Sequence, residues 1–448
     1  MAEKTTASKM TEGLISRQIL LFAVPLMIGN LFQMFYNSVD SIVVGNFVST
    51  EALAAIGATT MIVNIAVFFF NGFSTGAGVV IARNYGAGKM DELHRSIETT
   101  MAATFIGCVL FTVVGIVTTG AMLKFMSTPA NVFADAETYL RIYFAGIAGL
   151  LVYNMGSGIL RAVGDTKRPL YFLILTSVLN IFLDLLFVLE FHQGIAGVAY
   201  ATIISQAISA VLTLILLIRT KDVYWFSFRE MRIEEDILKQ IIEIGLPTGI
   251  QAVITSFSNV FVQSYINYFG SVVIAGWTCY NRLDQFIMLP MQSMAMAATT
   301  FVGQNMGAGK IERANEGTRK TIFLTLEITG AIAVVLFLFA RDATRLFSSD
   351  KLVIESGTAF LRANVFFMLF NCVCHVLAGA LRGRGDSNGP MVIMLTGYVA
   401  IRQIYLFIMT RFILNTPAAV GFGYPVGWVV TCFLEVLYFE KRWKIQQA

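Results

Sequence analysis

Charge is the scarcest property of this 448-residue chain. Only 13% of its residues are Asp, Glu, Lys or Arg, whereas 56% are hydrophobic. Soluble domains average about 25% charged residues. A soluble protein of this length cannot cover so much apolar surface, but a membrane protein uses lipid as its solvent. The composition therefore excludes an ordinary soluble domain and indicates a membrane protein.

Proline is also scarce, with 8 copies, and the apolar runs are long. Long apolar runs with few prolines predict long helices, because proline interrupts the helical hydrogen-bond ladder. A transmembrane β-barrel would instead alternate polar and apolar residues in segments of about ten, and the sequence shows no such alternation. We therefore predict an all-α membrane protein.

Cysteine, histidine and net charge add three more exclusions. The five cysteines all fall inside apolar runs, which predicts small core residues and no disulfide framework. Cys372, Cys374 and His375 are close in sequence, but residues i and i+2 do not share a helix face, so we predict no metal site there. A net charge of only +4 gives no reason to expect a nucleic-acid partner.

Twelve segments are apolar enough, over the roughly 20 residues that a span requires, to cross a bilayer. They lie near residues 18–43, 53–82, 97–121, 135–160, 169–190, 195–218, 238–268, 272–302, 317–340, 353–381, 390–413 and 420–440. An even number of spans places both chain ends on the same side of the membrane. Most Lys and Arg residues fall in the connections on that side. The positive-inside rule therefore predicts a multi-pass protein of the cytoplasmic (inner) membrane with both termini in the cytoplasm.

An internal repeat divides the chain into two halves. Residues 82–89 read ARNYGAGK and residues 303–310 read GQNMGAGK, an offset of 221. Residues 159–169 read ILRAVGDTKRP and residues 380–390 read ALRGRGDSNGP, at the same offset. Six spans precede the second copy, so the two halves have the same orientation in the membrane.

This repeat predicts two pseudo-symmetric six-helix lobes. The longest charged connection, after the sixth span, places their boundary between an N-lobe at 1–222 and a C-lobe at 223–448. Parallel repeats of this kind bind substrate between the halves near the membrane midplane. We therefore expect a substrate cavity between the lobes.

The GAGK segments do not match a phosphate-binding loop. That loop has Gly five residues before the Gly of Gly-Lys and Ser or Thr after the Lys. Arg83 and Met90 occupy these places in the first copy, and Gln304 and Ile311 in the second. We interpret both segments as tight basic turns, and we expect an ion gradient or the solute itself to drive any transport.

Two aspartates lie inside predicted spans of the first half. Asp40 on the first span and Asp184 on the fifth are at similar distances from the outer ends of their helices. Asn180 lies one turn from Asp184 on the same face, and Thr202 on the sixth span is at a similar depth. An aspartate at mid-membrane costs about 2.5–3.5 kcal/mol on insertion scales and marks a candidate functional site.

Three interpretations of these four residues are open. Their oxygens suit a hard cation such as Na⁺, or the two carboxylates share one proton because burial and like charge disfavour ionising both. A purely structural role for buried aspartates is the third. The coupling ion is thus H⁺ or Na⁺, and we expect no other cofactor and no catalytic residue.

The two six-helix halves, the paired GAGK turns and the paired LR–GD–P segments resemble the multidrug and toxic-compound extrusion (MATE) family over essentially the whole chain. Residues 280–310, YNRLDQFIMLPMQSMAMAATTFVGQNMGAGK, are especially similar to bacterial members of the DinF and MepA-like branches. The resemblance implies export of amphipathic, often cationic compounds in exchange for protons or sodium ions.

The resemblance also implies the site residues. In the DinF branch the cation site lies in the N-lobe, and the positions that match it here are Asp40, Asn180, Asp184 and Thr202, with Tyr36 and Asn154 at neighbouring polar positions. The NorM branch carries acids on helices 7 and 10, where this chain has Thr255 and Asn371. We therefore expect no acidic cation site in the C-lobe.

Helical phase and the resemblance together predict the walls of the substrate cavity. Polar residues recur at helical spacing along the first span, which is typical of a helix facing a cavity, and methionine suits a promiscuous surface although it is more often ordinary packing. The predicted lining is Gln33, Tyr36, Asn37, Asn154 and Ser157 in the N-lobe, and Gln251, Met288 and Met291 in the C-lobe.

Two other classes of protein compete with a drug exporter. A flippase for lipid-linked saccharide precursors would line its cavity with several arginines. A membrane enzyme would need clustered catalytic groups, and the three histidines lie at different depths. We favour a monomeric transporter, not an enzyme, whose partners are amphipathic small molecules and membrane lipid. The roles of Asp284, Glu327 and Arg402 stay unassigned by sequence.

Overall fold

The computed structural model describes residues 10–447, and within that range twelve helices are long and apolar enough to cross a membrane. They are α1 (Ile15–Phe47), α2 (Thr50–Ala87), α3 (Met90–Phe125), α4 (Ala130–Ala162), α5 (Lys167–Glu190), α6 (Gly194–Arg219), α7 (Glu235–Asn267), α8 (Ser271–Gly307), α9 (Ile311–Leu338), α10 (Lys351–Gly383), α11 (Asn388–Ile413) and α12 (Pro417–Trp443). The predicted all-α fold with two six-helix halves is confirmed. Lys4 and Lys9, which contributed to the topology prediction, lie outside the described residues.

The repeated motifs have the same backbone conformation in both halves. Gly88 and Gly309 have φ values of 69° and 71°, and Gly164 and Gly385 have φ values of 88° and 83°. Each pair is 221 residues apart and adopts the left-handed conformation that ends many helices, which glycine reaches without a steric penalty. The GAGK segments are therefore tight turns, as predicted.

A repeated aspartate starts the helix after the second motif. The Asp165 carboxylate accepts from the main-chain N–H of Arg168 at 3.2 Å, and Asp386 accepts from the N–H of Gly389 at 3.0 Å. Both aspartates thus satisfy a first-turn donor that the helix itself leaves unpaired. Burial raises the pKa of Asp165, although the hydrogen bond and charge of Arg168 oppose that shift.

The chain forms two compact units whose limits differ from the predicted boundary at 222/223. One unit is Val24–Leu246, and the other joins Met10–Ala23 to the chain from Pro247 onward. The connection after α6 and the first turns of α7 belong to the first unit because Tyr224, Phe226 and Ile241 are buried in its apolar core.

In the first unit, α2 and the first turns of α7 approach through glycine. A Cβ built on Gly76 would overlap the carbonyl oxygen of Ile241 and lie 2.7 Å from the main-chain nitrogen of Gly245. A Cβ on Gly245 would lie 2.9 Å from the Cα of Phe73. Both distances are shorter than real Cβ contacts, so this packing requires glycine on both helices.

In the second unit, the polar residues of the GQNMGAGK turn hold the segment before α1. The main-chain N–H of Met10 donates to Gln304 Oε1 at 2.9 Å, and Asn305 Nδ2 donates to the Met10 carbonyl at 3.3 Å. Lys310 and Arg313 donate to the main-chain carbonyls that follow. Asn and Lys occur in both copies of the motif, whereas Gln304 stands in place of Arg83 and accepts the N–H of Met10.

The glycine contact gives a test of the packing. We expect Gly76→Ala to destabilise the protein by about 1–3 kcal/mol, because overpacking forces the backbones of α2 and α7 apart. The measurement is the thermal unfolding midpoint of the purified protein in detergent. Gly57→Ala, on the same helix with open space around it, is the matched control. Equal midpoints for the two variants would contradict the packing described here.

Candidate cation site in the first half

Asp184 and Asn180 project from one face of α5 into the interior of the first unit. Asp184 is fully buried, and Asn180 is 2% exposed. Immediately after Asp184 the helix widens into a π-helical turn, Leu186–Glu190. Single π-turns are rare and occur frequently at functional sites. The local backbone thus departs from regular α-helix next to the buried acid.

Asp40 of α1 meets Asp184 across the helix interface, and the two carboxyl groups are close enough to interact directly. Both oxygens of Asp184 and Oδ1 of Asp40 are buried without a hydrogen-bond partner among the described residues. Two adjacent carboxylates in an apolar interior repel each other and are poorly solvated. The pair therefore favours binding a positive charge, either a proton or a metal cation.

Further side chains with oxygen atoms that could bind a cation lie on α5 and α6 of the same unit. Both amide atoms of Asn180 are buried without a partner among the described residues, as are Ser205 Oγ and Gln206 Oε1. The Thr202 hydroxyl donates to the carbonyl of Val198 at 2.9 Å, so its oxygen lone pairs are available to a ligand. Carboxylate, amide and hydroxyl oxygens are the ligands of a hard cation. The donor set thus fits Na⁺ as well as a shared proton.

Three phenol groups complete the surroundings of the carboxylates. Tyr36 of α1 and Tyr139 of α4 both interact electrostatically with Asp40 and Asp184. The ring of Tyr139 stacks on that of Tyr143, with ring centroids 6.2 Å apart. The sequence analysis included Tyr36 but missed the two tyrosines of α4. Two tyrosines four residues apart on one helix face were the signal that could have found them.

A cavity with both polar and apolar lining residues adjoins this site between α1, α4, α5 and α6. Gln33, Tyr36 and Asn154, which the sequence analysis assigned to a cavity between the lobes, line this cavity within the first unit, and so do Asn180 and Thr202. The lining residues that sequence reasoning missed include Tyr153, Arg161, Thr176, Ser177, Ser205, Gln206 and Ser209. The same cavity therefore contains predicted substrate contacts and predicted cation ligands.

Two predicted wall residues of the first half do not line this cavity. Asn37 is exposed on α1 and is not among the lining residues of this cavity. Ser157 is 2% exposed, and its hydroxyl oxygen is buried without a partner among the described residues.

Of the three predicted wall residues of the second half, two contact polar side chains and one is packed in the apolar core. Gln251 is buried and accepts a hydrogen bond from Arg382 at 2.9 Å. Met288 is half-buried, with its sulfur 3.7 Å from Asn371 Nδ2. Met291 is fully buried in the apolar core, which differs from its predicted place on a cavity wall, because its side chain packs between helices.

Three ionisable residues that the sequence left unassigned now have positions. Asp284 accepts from the hydroxyl of Tyr280 at 3.5 Å, one turn away on α8. Arg402 is 3% exposed and donates to Ser258 Oγ at 2.6 Å, which joins α11 to α7. Glu327 lies on an exposed face of α9.

Comparison with known proteins matches both halves of the chain. The family model described as MatE matches twice, over residues 25–186 and 247–408. The probable multidrug resistance protein YpnP of Bacillus subtilis (strain 168) is 30% identical over 435 residues, which are 97% of each chain. Multidrug export protein MepA of Staphylococcus haemolyticus (strain JCSC1435) is 23% identical over 406 residues, 90% of this chain and 88% of the relative.

The fold also matches solved structures. A structure described as the outward-facing conformation of a multidrug resistance MATE family transporter of the MOP superfamily superposes with a TM-score of 0.92. The superposition covers 98% of each chain at 23% sequence identity. At that level of identity the likeness concerns the fold.

Ion binding at the aspartate pair is testable without transport. We expect the thermal midpoint of the wild-type protein to rise with Na⁺ or on acidification, because a ligand at 100 times its Kd stabilises the folded state by about 2.7 kcal/mol. Asp184→Asn should abolish that response. Glu190→Gln, an exposed acid on the same helix, should retain it, with K⁺ as the salt control. A response of Asp184→Asn equal to that of the wild type would place the ion elsewhere.

Proposed function

We propose that this chain, which belongs to the MatE family, exports amphipathic small molecules across the cytoplasmic membrane in exchange for H⁺ or Na⁺. One observation supports this most strongly: the half-buried Asp40 and the fully buried Asp184 interact electrostatically and have unpartnered oxygens near a cavity in the same half. The names of its relatives, multidrug resistance and export proteins, suggest the substrate class.

The coupling follows from the shared helix α1. Gln33 and Tyr36 line the cavity, and Asp40 lies one turn beyond Tyr36 on that helix. A cation that brings Asp40 and Asp184 together favours one position of α1, and a substrate that occupies the cavity favours another. Ion and substrate then bias one conformational equilibrium in opposite directions, as alternating access requires.

The energy available is sufficient for export. A membrane potential of 100 mV contributes about 2.3 kcal/mol for each charge moved fully across, and about 1.4 kcal/mol corresponds to a tenfold ratio of concentrations. One cation per cycle therefore supports accumulation of tens-fold. No nucleotide is needed, in keeping with GAGK turns that serve as connections between helices.

The cavity favours an uncharged or cationic amphipathic substrate over a polyanionic one. Its lining combines Leu26, Leu150 and Leu173 with amide and hydroxyl groups, and it contains one arginine, Arg161. Two carboxylates lie beside it. A flippase for lipid-linked saccharides, which would need several cationic contacts, is therefore the weaker candidate. We propose a monomer in lipid with both termini in the cytoplasm.

Replacement of either aspartate tests the coupling. We expect Asp40→Asn and Asp184→Asn each to leave folding intact and to abolish ion-driven export, because neither variant retains two carboxylates that require a shared cation. Substrate binding should survive in part, since the rest of the cavity is unchanged. The measurement is efflux from proteoliposomes under proton and sodium gradients, imposed one at a time.

Glu190→Gln is the matched control for this experiment, because Glu190 is an exposed acid at the end of the same helix. It should export at the wild-type rate. Comparing the two gradients in the wild type identifies the coupling ion. Wild-type rates in both aspartate variants under the active gradient would show that the coupling site is elsewhere.

A further inference from the structure

A buried glutamate in the second half has no assigned role. Glu435 lies on α12, is fully buried, and has both carboxylate oxygens without a hydrogen-bond partner among the described residues. An ionised carboxylate buried without compensation is strongly unfavourable. The sequence analysis did not expect an acid in the second half. It considered only the two positions, on α7 and α10, that match the acids of the NorM branch.

The groups that face Glu435 come from three helices. Arg382 and Cys374 of α10, Tyr398 of α11 and Cys432 of α12 itself interact with it electrostatically. The nearby cation of α11, Arg402, instead lies over the ring of Tyr424, 4.6 Å from its centroid. His375 of α10 faces Tyr398, with ring centroids 6.5 Å apart, and also interacts with Arg382.

These neighbours fit a proton and disfavour a metal cation. Na⁺ and other hard cations take several oxygen ligands, whereas Glu435 faces a guanidinium group, two thiols and one phenol. The positive charge of Arg382 would repel a second cation. A proton on the carboxyl group needs no ligand cage and removes the buried negative charge.

Arg382 is placed to respond to that proton. One terminal nitrogen donates to Gln251 Oε1 at 2.9 Å, while its Nε is buried without a partner among the described residues. A guanidinium group forms stronger hydrogen bonds with a carboxylate than with a neutral amide. Loss of the proton from Glu435 would therefore draw Arg382 away from Gln251.

We propose that Glu435 is a second proton-binding site of this protein and that its deprotonation transfers Arg382 from Gln251 to Glu435. The O–H bond of the carboxylic acid breaks, the proton leaves to water, and the carboxylate accepts N–H groups of Arg382. Gln251 lies four residues after Pro247 on α7, where the helical ladder lacks one N–H donor. This change of hydrogen-bond partner thus acts on α7 close to Pro247, where one helical hydrogen bond is missing. As a part of the coupling, it rests on the proposed ion-driven transport.

The first test is spectroscopic and needs no transport. In difference infrared spectra of the purified protein, the Asp40→Asn/Asp184→Asn double variant should retain a pH-dependent carboxylic-acid C=O band. Adding Glu435→Gln should remove the Glu435 component of that band, while the components of other acids such as Asp284 remain. Adding Glu440→Gln instead, at an exposed acid five residues along the same helix, should leave the Glu435 component unchanged. A spectrum in which Glu435→Gln removes no component would overturn the proposal.

The second test counts protons per substrate exported by proteoliposomes. Glu435→Gln in the otherwise wild-type protein should lower that count by one, whereas Glu440→Gln should leave it as in the wild type. An unchanged count in Glu435→Gln would overturn the role in coupling. Failure of the proposed function has a different signature, namely wild-type export by the Asp40→Asn and Asp184→Asn variants.

Arg382→Gln provides an independent variant if Glu435→Gln does not fold. Without the guanidinium group, the ionised carboxylate loses its partner, so the Glu435 band should persist to higher pH than in the protein with Arg382. A band with unchanged pH dependence would overturn the proposed exchange of partners.

Discussion

The direct interaction between Asp40 and Asp184 constrains the first half more than any other contact. Lipid and apolar side chains surround the bundle, so two neighbouring carboxylates there are unfavourable without a counter-charge. The unpartnered amide of Asn180 and the phenol of Tyr36 add polar atoms to the same interior. If this interior served only to pack the helices together, apolar side chains would be more favourable there than these polar groups. Two ionised carboxylates in this interior are unfavourable without a bound cation, and the proposed ion coupling rests on that property.

The duplicated fold does not carry duplicated chemistry. The left-handed glycines and the aspartates that start α5 and α11 recur at an offset of 221 residues because the turns between helices require them. Arg161 and Arg382 are also equivalent by this offset, yet Arg161 lines the cavity while Arg382 binds Gln251. Turn geometry is preserved between halves, whereas buried charge has been redistributed. The two proposed proton-binding sites, Asp40 with Asp184 in one half and Glu435 in the other, are accordingly not related by the repeat.

Sequence reasoning succeeded where a property is local. Spans follow from apolar length and turns from repeated glycine motifs, whereas the assignment of Asp40 and Asp184 to a cation site stays a prediction. It missed Tyr139, whose side chain could equally have faced lipid, because periodicity does not decide which face of an apolar helix turns inward. Glu435 was missed since it lies near the charged end of α12 and resembles an interfacial residue. Met291 was misplaced because methionine serves cavities and cores alike.

The first helix of each half, α1 or α7, contains a proline at which the helix bends most easily. α1 and α7 are the helices that the two compact units share, and they are divided within one residue of Pro25 and at Pro247. Proline leaves one backbone carbonyl without its helical donor, so bending costs least there. The residues proposed to respond to protonation, Asp40 and Gln251, lie beyond these prolines on the same helices. Gain or loss of a proton at Asp40, or a change of hydrogen-bond partner at Gln251, would therefore act on a helix that already has a point of low bending resistance.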